Sequence, residues 1–335
     1  MLSKKIGIDV GTSTLLIFVK GEGIVLNEPS LVAVNRDGTR ILAVGTQALE
    51  MVGRAPESIQ VVRPMRDGVI ADFAVTEGML HHFVNKVQGR QRVFKPEIMI
   101  CVPSGVTSVE RRAVTEAAIS AGARQAWLID EPLAAAMGAG LPIAEPRGSA
   151  ICDIGGGTTE VAVISLSGMV VAHSIRVGGD RIDDAITAYV KRKHNLLIGE
   201  RTAEAVKISA GSALTMKEPR TAEVRGRDVI SGLPRNLEVT STEITEAIQE
   251  PLRLIVGAVR DVLQETPPEL SADILEGGIV LSGGGAKLRG LDRFIAMHTG
   301  IPALVADHPQ TSVVRGTGFA LENFEVLRRT QGYLG

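Results

Sequence analysis

The sequence AICDIGGGTTEVAVI, residues 150–164, predicts a β-strand, a glycine-rich turn and a second β-strand. Residues 6–19, IGIDVGTSTLLIFV, follow the same order. In both stretches the first apolar run ends at an aspartate, Asp153 or Asp9, and the turn combines glycine with hydroxyl residues. A glycine turn lets backbone N–H groups point at an anion, and threonine and serine hydroxyls add further donors. Two such turns that face each other would bind a polyphosphate from both sides.

Neither turn matches the other common phosphate-binding loops. The chain contains no Gly-x-x-x-x-Gly-Lys-Ser/Thr sequence, and each turn leads into a strand, whereas the P-loop and the Rossmann fingerprint lead into a helix. One such turn alone would more simply be a β-hairpin. Two copies of the same pattern favour a phosphate site, in which Asp9 and Asp153 could hold a hydrated Mg²⁺.

The similarity between the two halves of the sequence extends beyond these turns. The first half continues with a strand at residues 98–103, a helix that ends near 121 and a strand at 126–129. The second half continues with a strand at residues 278–281, a helix that ends near 299 and a strand at 303–305. Strands that alternate with helices predict a largely parallel sheet covered on both faces. We therefore expect two copies of one α/β domain, in residues 1–145 and 146–335.

Two dissimilar segments interrupt the repeat. One covers about residues 21–64 and contains strand patterns at 30–34 and 40–44. The other covers about residues 181–240 and begins with a helix that Asp180 is predicted to cap. Two core domains that each carry an insertion would enclose a central cleft. Ligands of α/β sheets bind beyond the carboxyl ends of the strands, where both glycine turns lie.

The composition is that of a globular protein. Of 335 residues, 44% are hydrophobic and 22% are charged, and the net charge of −2 gives no electrostatic argument for nucleic-acid binding. Both cysteines, Cys101 and Cys152, lie in predicted apolar strands, which favours buried thiols over a disulfide or a metal site. No apolar run approaches the ~20 residues of a membrane span, and no signal peptide precedes the first strand. We therefore expect a cytosolic protein.

The two hairpins and a later turn, Gly283-Gly284-Gly285, resemble the phosphate and adenosine motifs of the superfamily of actin, sugar kinases and heat-shock chaperone ATPases. Longer stretches are similar to the MreB family of bacterial actins. They lie at residues 23–30, 63–72, 102–105, 128–132, 153–162 and 266–270. The resemblance implies an actin-like fold, in which two duplicated α/β core domains, each with an inserted subdomain, hold a nucleotide in the central cleft. C-terminal residues would pack back on the first domain.

The resemblance also implies a function. Members of the family are filament proteins that bind and hydrolyse ATP with Mg²⁺ and organise cell-wall synthesis in rod-shaped bacteria. The implied partners are further copies of the chain in head-to-tail protofilaments and antiparallel pairs, lipid of the inner face of the cell membrane, and proteins of cell-wall elongation.

Individual catalytic roles follow from the same resemblance. It implies that Glu131 orients the attacking water and that Thr158 assists it. The internal repeat agrees, because His308 occupies the place of Glu131 in the second half and only one half keeps a carboxylate there. The alternative is that the sequence Asp130-Glu131-Pro132 only caps a helix beginning at Leu133.

Nucleotide contacts are implied in both halves. Asp9 and Asp153 would bind Mg²⁺ through water, and the amides and hydroxyls of the turns would bind phosphate. The predicted nucleotide-binding residues are Asp9, Gly11, Thr12, Ser13, Thr14, Asp153, Gly155, Gly156, Gly157, Thr158, Gly179, Asp180, Glu204, Lys207, Gly283, Gly284 and Gly285. Glu204 and Lys207 are assigned to the ribose and adenine, although the sequence alone favours a surface ion pair.

The first turn departs from the family pattern Asp-Leu-Gly-Thr-Ala-Asn-Thr, because Thr14 and Leu15 replace its last two residues. The hydrolysis rate and the choice between ATP and GTP therefore stay open. A sugar or acetate kinase on the same fold is the alternative function, but no acceptor-site motif is present. A peptide-binding chaperone would need a further domain, and the chain ends soon after the adenosine motif.

Two surfaces carry further expectations. Lateral pairing of filaments is implied near Val109, for which a core position is the alternative. Membrane contact is expected at Val93 and Phe94, beside basic residues that attract anionic lipid, with Met1 and Leu2 as a second candidate. Phe94 could instead pack beneath its own loop.

Overall fold

The computed structural model describes residues 3–89 and 94–324. The strands are β1 Lys5–Val10, β2 Thr14–Val19, β3 Gly23–Pro29, β4 Val32–Asn35, β5 Ile41–Val44, β6 Ile59–Val62, β7 Met65–Arg66, β8 Val69–Ile70, β9 Glu97–Val102, β10 Gln125–Asp130, β11 Ser149–Ile154, β12 Thr159–Ser165, β13 Gly168–Ile175, β14 Leu196–Leu197, β15 Thr221–Asp228, β16 Pro234–Thr240, β17 Ile279–Ser282 and β18 Ala303–Val305. The helices are α1 Thr46–Met51, α2 Phe73–Gln88, α3 Ser108–Ser120, α4 Glu131–Gly138, α5 Gly179–His194, α6 Glu200–Ala210, α7 Ser241–Ala247, α8 Gln249–Glu265, α9 Pro268–Gly277, α10 Leu291–Thr299 and α11 Ser312–Glu322.

Two five-stranded sheets with the same topology form the two halves of the molecule. The first has the order β10-β9-β1-β2-β3 and the second the order β18-β17-β11-β12-β13. In each, three neighbouring strands are parallel and the remaining two pair antiparallel. The predicted duplication is confirmed. The sheets are mixed rather than largely parallel, because each glycine turn reverses the chain into an antiparallel hairpin.

The central strands are buried on both faces. Every residue of β11 is buried, and Ile6 and Ile8 of β1 have no exposed surface. Continuous apolar strands of this kind need cover on both sides, which the surrounding helices provide. Cys101 and Cys152 are buried and unpaired on β9 and β11, as predicted.

Helices α4 and α11 cross between the two sheets with their backbones in contact. A Cβ atom built on Gly138 would lie 1.8 Å from the Ser312 carbonyl oxygen, and one on Gly316 would lie 1.8 Å from that of Ala134. Only glycine fits this crossing. Helix α11 also reaches the first sheet, where a Cβ on Gly7 would lie 2.2 Å from Thr317 Oγ1. The last described helix therefore packs on the first half, and it also shares a hydrophobic cluster with β11 and β12 of the second half.

Smaller sheets lie within both predicted insertions. The segment predicted at about 21–64 contains β3, which extends the first large sheet, and then a separate sheet of order β5-β4-β6. The segment at about 181–240 contains the sheet β14-β15-β16. The division of the chain after residue 145 stays a prediction. Among the described residues, no helix has the length and apolar character needed to cross a membrane.

The predicted start of α4 is wrong. The helix begins at Glu131 and not at Leu133, and Asp130 occupies the cap position without a side-chain cap hydrogen bond. The Asp130 carboxylate instead pairs with Arg111 on α3. Glu131 therefore lies in the first helical turn, where it faces the space between the two halves.

Candidate functional site

The two glycine turns have the same geometry. The N–H of Gly11 donates to the Thr14 carbonyl at 3.0 Å, and the N–H of Gly155 donates to the Thr158 carbonyl at 2.9 Å. Each bond closes its hairpin. Because these two amides are already paired, only the other amides of the turns remain candidates for contact with a phosphate.

The turns meet face to face. A Cβ atom on Gly156 would lie 2.0 Å from Ser13 Oγ, and one on Gly157 would lie 2.5 Å from Thr12 Oγ1. This close approach requires glycine in the second turn. The expectation that the two turns face each other is confirmed.

The N-terminus of α5 holds the second turn from behind. The N–H groups of Gly179 and Asp180 donate to the carbonyls of Gly155 and Gly156 at 3.0 and 2.9 Å. The predicted cap is therefore wrong: Gly178 is the cap residue, and Asp180 lies inside the first turn. The Asp180 carboxylate accepts a hydrogen bond from the hydroxyl of Ser13 at 3.3 Å, which joins the two halves.

A cleft of about 490 Å³ lies between the halves, and every residue predicted to bind nucleotide lines it. They are Asp9, Gly11, Thr12, Ser13, Thr14, Asp153, Gly155, Gly156, Gly157, Thr158, Gly179, Asp180, Glu204, Lys207, Gly283, Gly284 and Gly285. Glu131 lines the same cleft. The structure thus brings together residues far apart in the sequence; their roles stay predictions.

Several lining residues were not predicted. They are Leu16, Asn27, Gly68, Ile182, Ile208, Lys287, Leu288, Arg289, Pro309, Gln310 and Val313. The Lys287 ammonium donates to the Gln310 side-chain oxygen at 3.2 Å, beside the third glycine turn. The internal repeat offered a signal for Gln310, which lies two residues after His308, the place equivalent to Glu131.

Asp9 and Asp153 are each the last residue but one of a central strand, β1 or β11, and both line the cleft. Burial raises the pKa of Asp9 to about 7, and the charge of Asp153 adds to this effect. Burial likewise raises the pKa of Asp153 to about 6, although a hydrogen bond from the Ser282 hydroxyl at 2.6 Å opposes the rise. A cation between two mutually repelling carboxylates would relieve this cost.

The donor set fits a hydrated magnesium ion. In residues 3–89 and 94–324, no three or more histidine, cysteine or carboxylate side chains are grouped to hold a metal directly. Mg²⁺ keeps several of its waters and needs only one or two protein carboxylates. Asp9 and Asp153 supply two, one from each half of the molecule.

Glu131 stands between two cavities. It lines the cleft and also a second cavity of about 350 Å³, which extends to Val109 and Glu110 on α3. Burial raises the pKa of Glu131 well above its usual range, and the nearby charges of Glu160 and Asp9 raise it further. Such a perturbed carboxyl group in a cleft is typical of a functional site.

The ion-pair interpretation of Glu204 and Lys207 is wrong. The Lys207 ammonium instead bonds to the Asp183 carboxylate at 2.7 Å and to the Gly179 carbonyl at 3.1 Å. Asp183, which was not predicted, lies one helical turn into α5 and is buried. Lys207 is therefore held against the start of α5, with Glu204 on the same helix at the cleft.

Both surface alternatives are wrong where the structure describes the residues. The Val109 side chain is 75% exposed, so it is not a core residue. The Phe94 side chain is 57% exposed, so it is not a buried anchor. Met1, Leu2 and Val93 lie outside the described residues.

Comparisons with known proteins agree on one family. The model of the MreB/Mbl protein family matches residues 3–329. The cell shape-determining protein MreB of Escherichia coli K12 is 54% identical over 331 residues, which cover 97% of this chain and 95% of that protein. The cell shape-determining protein Mbl of Bacillus subtilis 168 is 49% identical over 327 residues, covering 98% of each.

Solved structures show the same fold. MreB5 of Spiroplasma citri bound to ADP superposes with a TM-score of 0.93 at 36% identity, over 98% of this chain and 99% of that one. The same protein has also been solved with AMPPNP. A MamK double helical filament has a TM-score of 0.80 at 22% identity, over 96% of this chain and 99% of that one, and shows the fold alone.

Proposed function

This chain belongs to the MreB/Mbl family, and from that membership we propose that it is a filament-forming ATPase of the bacterial cytoskeleton that helps determine cell shape. The observation that carries the proposal is the cleft, in which two facing glycine turns and one carboxylate from each half surround a space of about 490 Å³. Related proteins named cell shape-determining, and the ADP and AMPPNP complexes of MreB5, support it.

Hydrolysis of ATP requires neutralised phosphate charge and a positioned water. Bound Mg²⁺ would supply part of that neutralisation, held through its waters by Asp9 and Asp153. The amides of Thr12, Ser13 and residues 156–158 would donate to the phosphate oxygens. We assign the orientation of the attacking water to Glu131, with the Thr158 hydroxyl assisting.

The nucleoside would lie at the other end of the cleft. Gly283, Gly284 and Gly285 form one wall there, and α6 with Glu204 and Lys207 forms another. The Lys207 ammonium is held by Asp183, so its position at the cleft is set by α5. The binding assay includes both ATP and GTP, and the ratio of their affinities gives the nucleotide preference.

Filaments are the proposed assembly. Head-to-tail stacking is a heterologous contact that does not close, and lateral pairing would use the exposed side chain of Val109 on α3. Val109→Glu should leave single protofilaments that still hydrolyse ATP, whereas Val109→Ala should keep pairs. Electron microscopy distinguishes them, and normal pairs of Val109→Glu would contradict this assignment.

Attachment to the inner face of the cell membrane is proposed through the exposed Phe94. Basic residues near an anionic surface contribute about 1 kcal/mol each, so one loop binds weakly and a polymer binds through many copies. Wild-type polymer should float with anionic vesicles, whereas Val93→Ser combined with Phe94→Ser should polymerise without floating. Equal flotation would place the anchor elsewhere, with Met1 and Leu2 next to be tested. Cell-wall elongation proteins are the proposed further partners.

The decisive test of the proposed function combines two measurements on the wild-type chain. Sedimentation should yield polymer above a critical concentration with ATP and Mg²⁺, and phosphate release should accompany it. A kinase would instead turn over as a dilute monomer once given a sugar or acetate. Protein that neither pellets nor releases phosphate with ATP or GTP would refute the proposal.

A further inference from the structure

A buried glutamate joins the two halves behind the phosphate end of the cleft. Glu160 lies on β12 and has no exposed surface. Its Oε2 atom accepts hydrogen bonds from the backbone N–H of Ser104 at 3.2 Å and from the Ser104 hydroxyl at 2.7 Å. Its Oε1 atom accepts one from the Ser174 hydroxyl at 2.5 Å. Ser104 belongs to the first half and Ser174 to the second.

The contact between Glu160 and Ser104 lies near both groups assigned to the attacking water, near Thr158 along the chain and near Glu131 across two paired strands. Glu160 comes two residues after Thr158. Ser104 follows β9, which pairs in register with β10, and Glu131 is the residue directly after β10. The hydrogen bonds of one carboxylate therefore connect the strand that follows Thr158 to the loop beside Glu131.

A second contact ties the helix after this loop to the residue before Glu131. Ser104 leads into α3, and Arg111 on that helix pairs with the buried carboxylate of Asp130. Glu160 thus holds the loop before α3, and Asp130 holds the first turn of α3. A shift of Ser104 would move α3 and, through Arg111, the start of α4.

Stability alone does not account for a carboxylate at this place. Burial raises the pKa of Glu160, whereas the hydrogen bonds from Ser174 and Ser104 lower it and the charge of Asp130 raises it. The three donors that reach it are neutral groups. Apolar side chains of similar volume would join the halves at a lower desolvation cost.

We propose that Glu160 is a positioning residue for ATP hydrolysis: through Ser104 it fixes the separation of Glu131 and Thr158 across the cleft. The inference rests on the proposed function, because it assumes that the cleft hydrolyses ATP. A displacement of about 1 Å at a reacting group can cost about 10²-fold in rate. Loss of the link should therefore lower kcat and leave the affinity for ATP unchanged, since affinity depends on the glycine turns.

Three substitutions separate this role from a purely structural one. Glu160→Gln keeps the size of the side chain but replaces one acceptor oxygen with an NH2 donor, so the two serines can no longer both donate to it. Ser104→Ala removes a hydrogen bond between the halves. Ser174→Ala is the matched control, because it removes a hydrogen bond to the same carboxylate within one half. We expect kcat to fall about 10- to 100-fold in Glu160→Gln, less in Ser104→Ala, and less than about threefold in Ser174→Ala.

The experiment measures phosphate release and equilibrium ATP binding for each variant, with thermal unfolding as a check on folding. Glu160→Gln combined with Ser104→Ala should be no slower than Glu160→Gln alone, because both act through one link. If Glu160→Gln does not fold, the contrast between Ser104→Ala and Ser174→Ala decides the question. Three results would overturn this inference without affecting the proposed function. The first is a wild-type kcat in the Glu160 and Ser104 variants, and the second is an equal loss of kcat in both serine variants. The third is a loss of ATP affinity that parallels the loss of kcat. A wild-type chain without ATP hydrolysis would overturn the proposed function as well.

Discussion

The two halves of the molecule share a strand order but differ in the segment after their third parallel strand. After β10, helix α4 begins at once, and its first residue is Glu131 in the cleft. After β18, a short 3₁₀ turn at Pro309–Thr311 precedes α11, and His308 is exposed at the cap of that turn. A duplicated scaffold thus offers two equivalent places, and only one holds a carboxylate beside the glycine turns.

The two halves contribute equivalent features to the site, and they differ at the place of Glu131. Asp9 and Asp153 occupy the same place near the ends of equivalent strands, and both glycine turns close with the same hydrogen bond. These shared features can surround a polyphosphate from two sides. In the proposed mechanism water attacks from one side only, and Glu131 is the residue assigned to that side.

The largest expected effect comes from removing the carboxylate that only one half holds at this place. Glu131→Ala should reduce ATP hydrolysis by about 10²–10⁴-fold with ATP binding retained, because it removes water orientation and not phosphate contacts. His308→Ala, at the equivalent place in the other half, should change the rate little. Phosphate release and equilibrium binding check both variants. Unchanged release from Glu131→Ala would remove this residue from the mechanism.

A second prediction concerns the crossing of α4 and α11. Gly316→Ala should destabilise the protein by about 3 kcal/mol, since its Cβ would lie 1.8 Å from the Ala134 carbonyl oxygen. Gly257→Ala on α8 is the control, because its Cβ would meet nothing within 4 Å. That substitution should stabilise the helix by about 0.5–1 kcal/mol. Urea unfolding measures both, and equal midpoints would show that the crossing adjusts freely.

A smaller effect should appear in the pH dependence of stability. The pKa of Asp9 is raised to about 7, so the folded, nucleotide-free protein binds a proton that the unfolded chain releases near pH 4, and stability falls as the pH rises through this window. Asp9→Asn should therefore stabilise the protein at pH 8, by on the order of 2 kcal/mol, and hardly at all at pH 4. Exposed Asp37→Asn serves as the control. Thermal unfolding without nucleotide measures the effect, and an equal change at both pH values would contradict the raised pKa of Asp9 as its cause.

Much of the fold could be predicted because its signals are local. The glycine turns, the apolar strands and their order in both halves all lie in short stretches of sequence. The repeat then placed those stretches in equivalent positions, and every residue assigned to the nucleotide lines one cleft. Periodicity could not supply the roles of Glu131, Glu204 and Lys207, which were assigned from the resemblance to the MreB/Mbl family.

The rest depended on partners distant in sequence. The Asp130 side chain makes no cap hydrogen bond at the start of α4, and its carboxylate pairs instead with Arg111 on another element. Lys207 bonds to Asp183, on a different helix, and not to its neighbour Glu204. Each of these side chains had a plausible hydrogen-bond partner nearby in the sequence. In the structure each bonds instead to a residue on a different helix. Such choices follow from tertiary structure and carry no periodic signal.

The two halves are proposed to share one nucleotide site, with one magnesium-side carboxylate from each. Equilibrium binding of ATP with and without Mg²⁺ tests this arrangement in the wild type, in Asp9→Asn and in Asp153→Asn. We expect each substitution to lower the Mg²⁺-dependent affinity by about tenfold, by similar factors, while the Mg²⁺-free affinity does not fall. A loss confined to one aspartate, or no loss with either, would contradict a site shared between the halves.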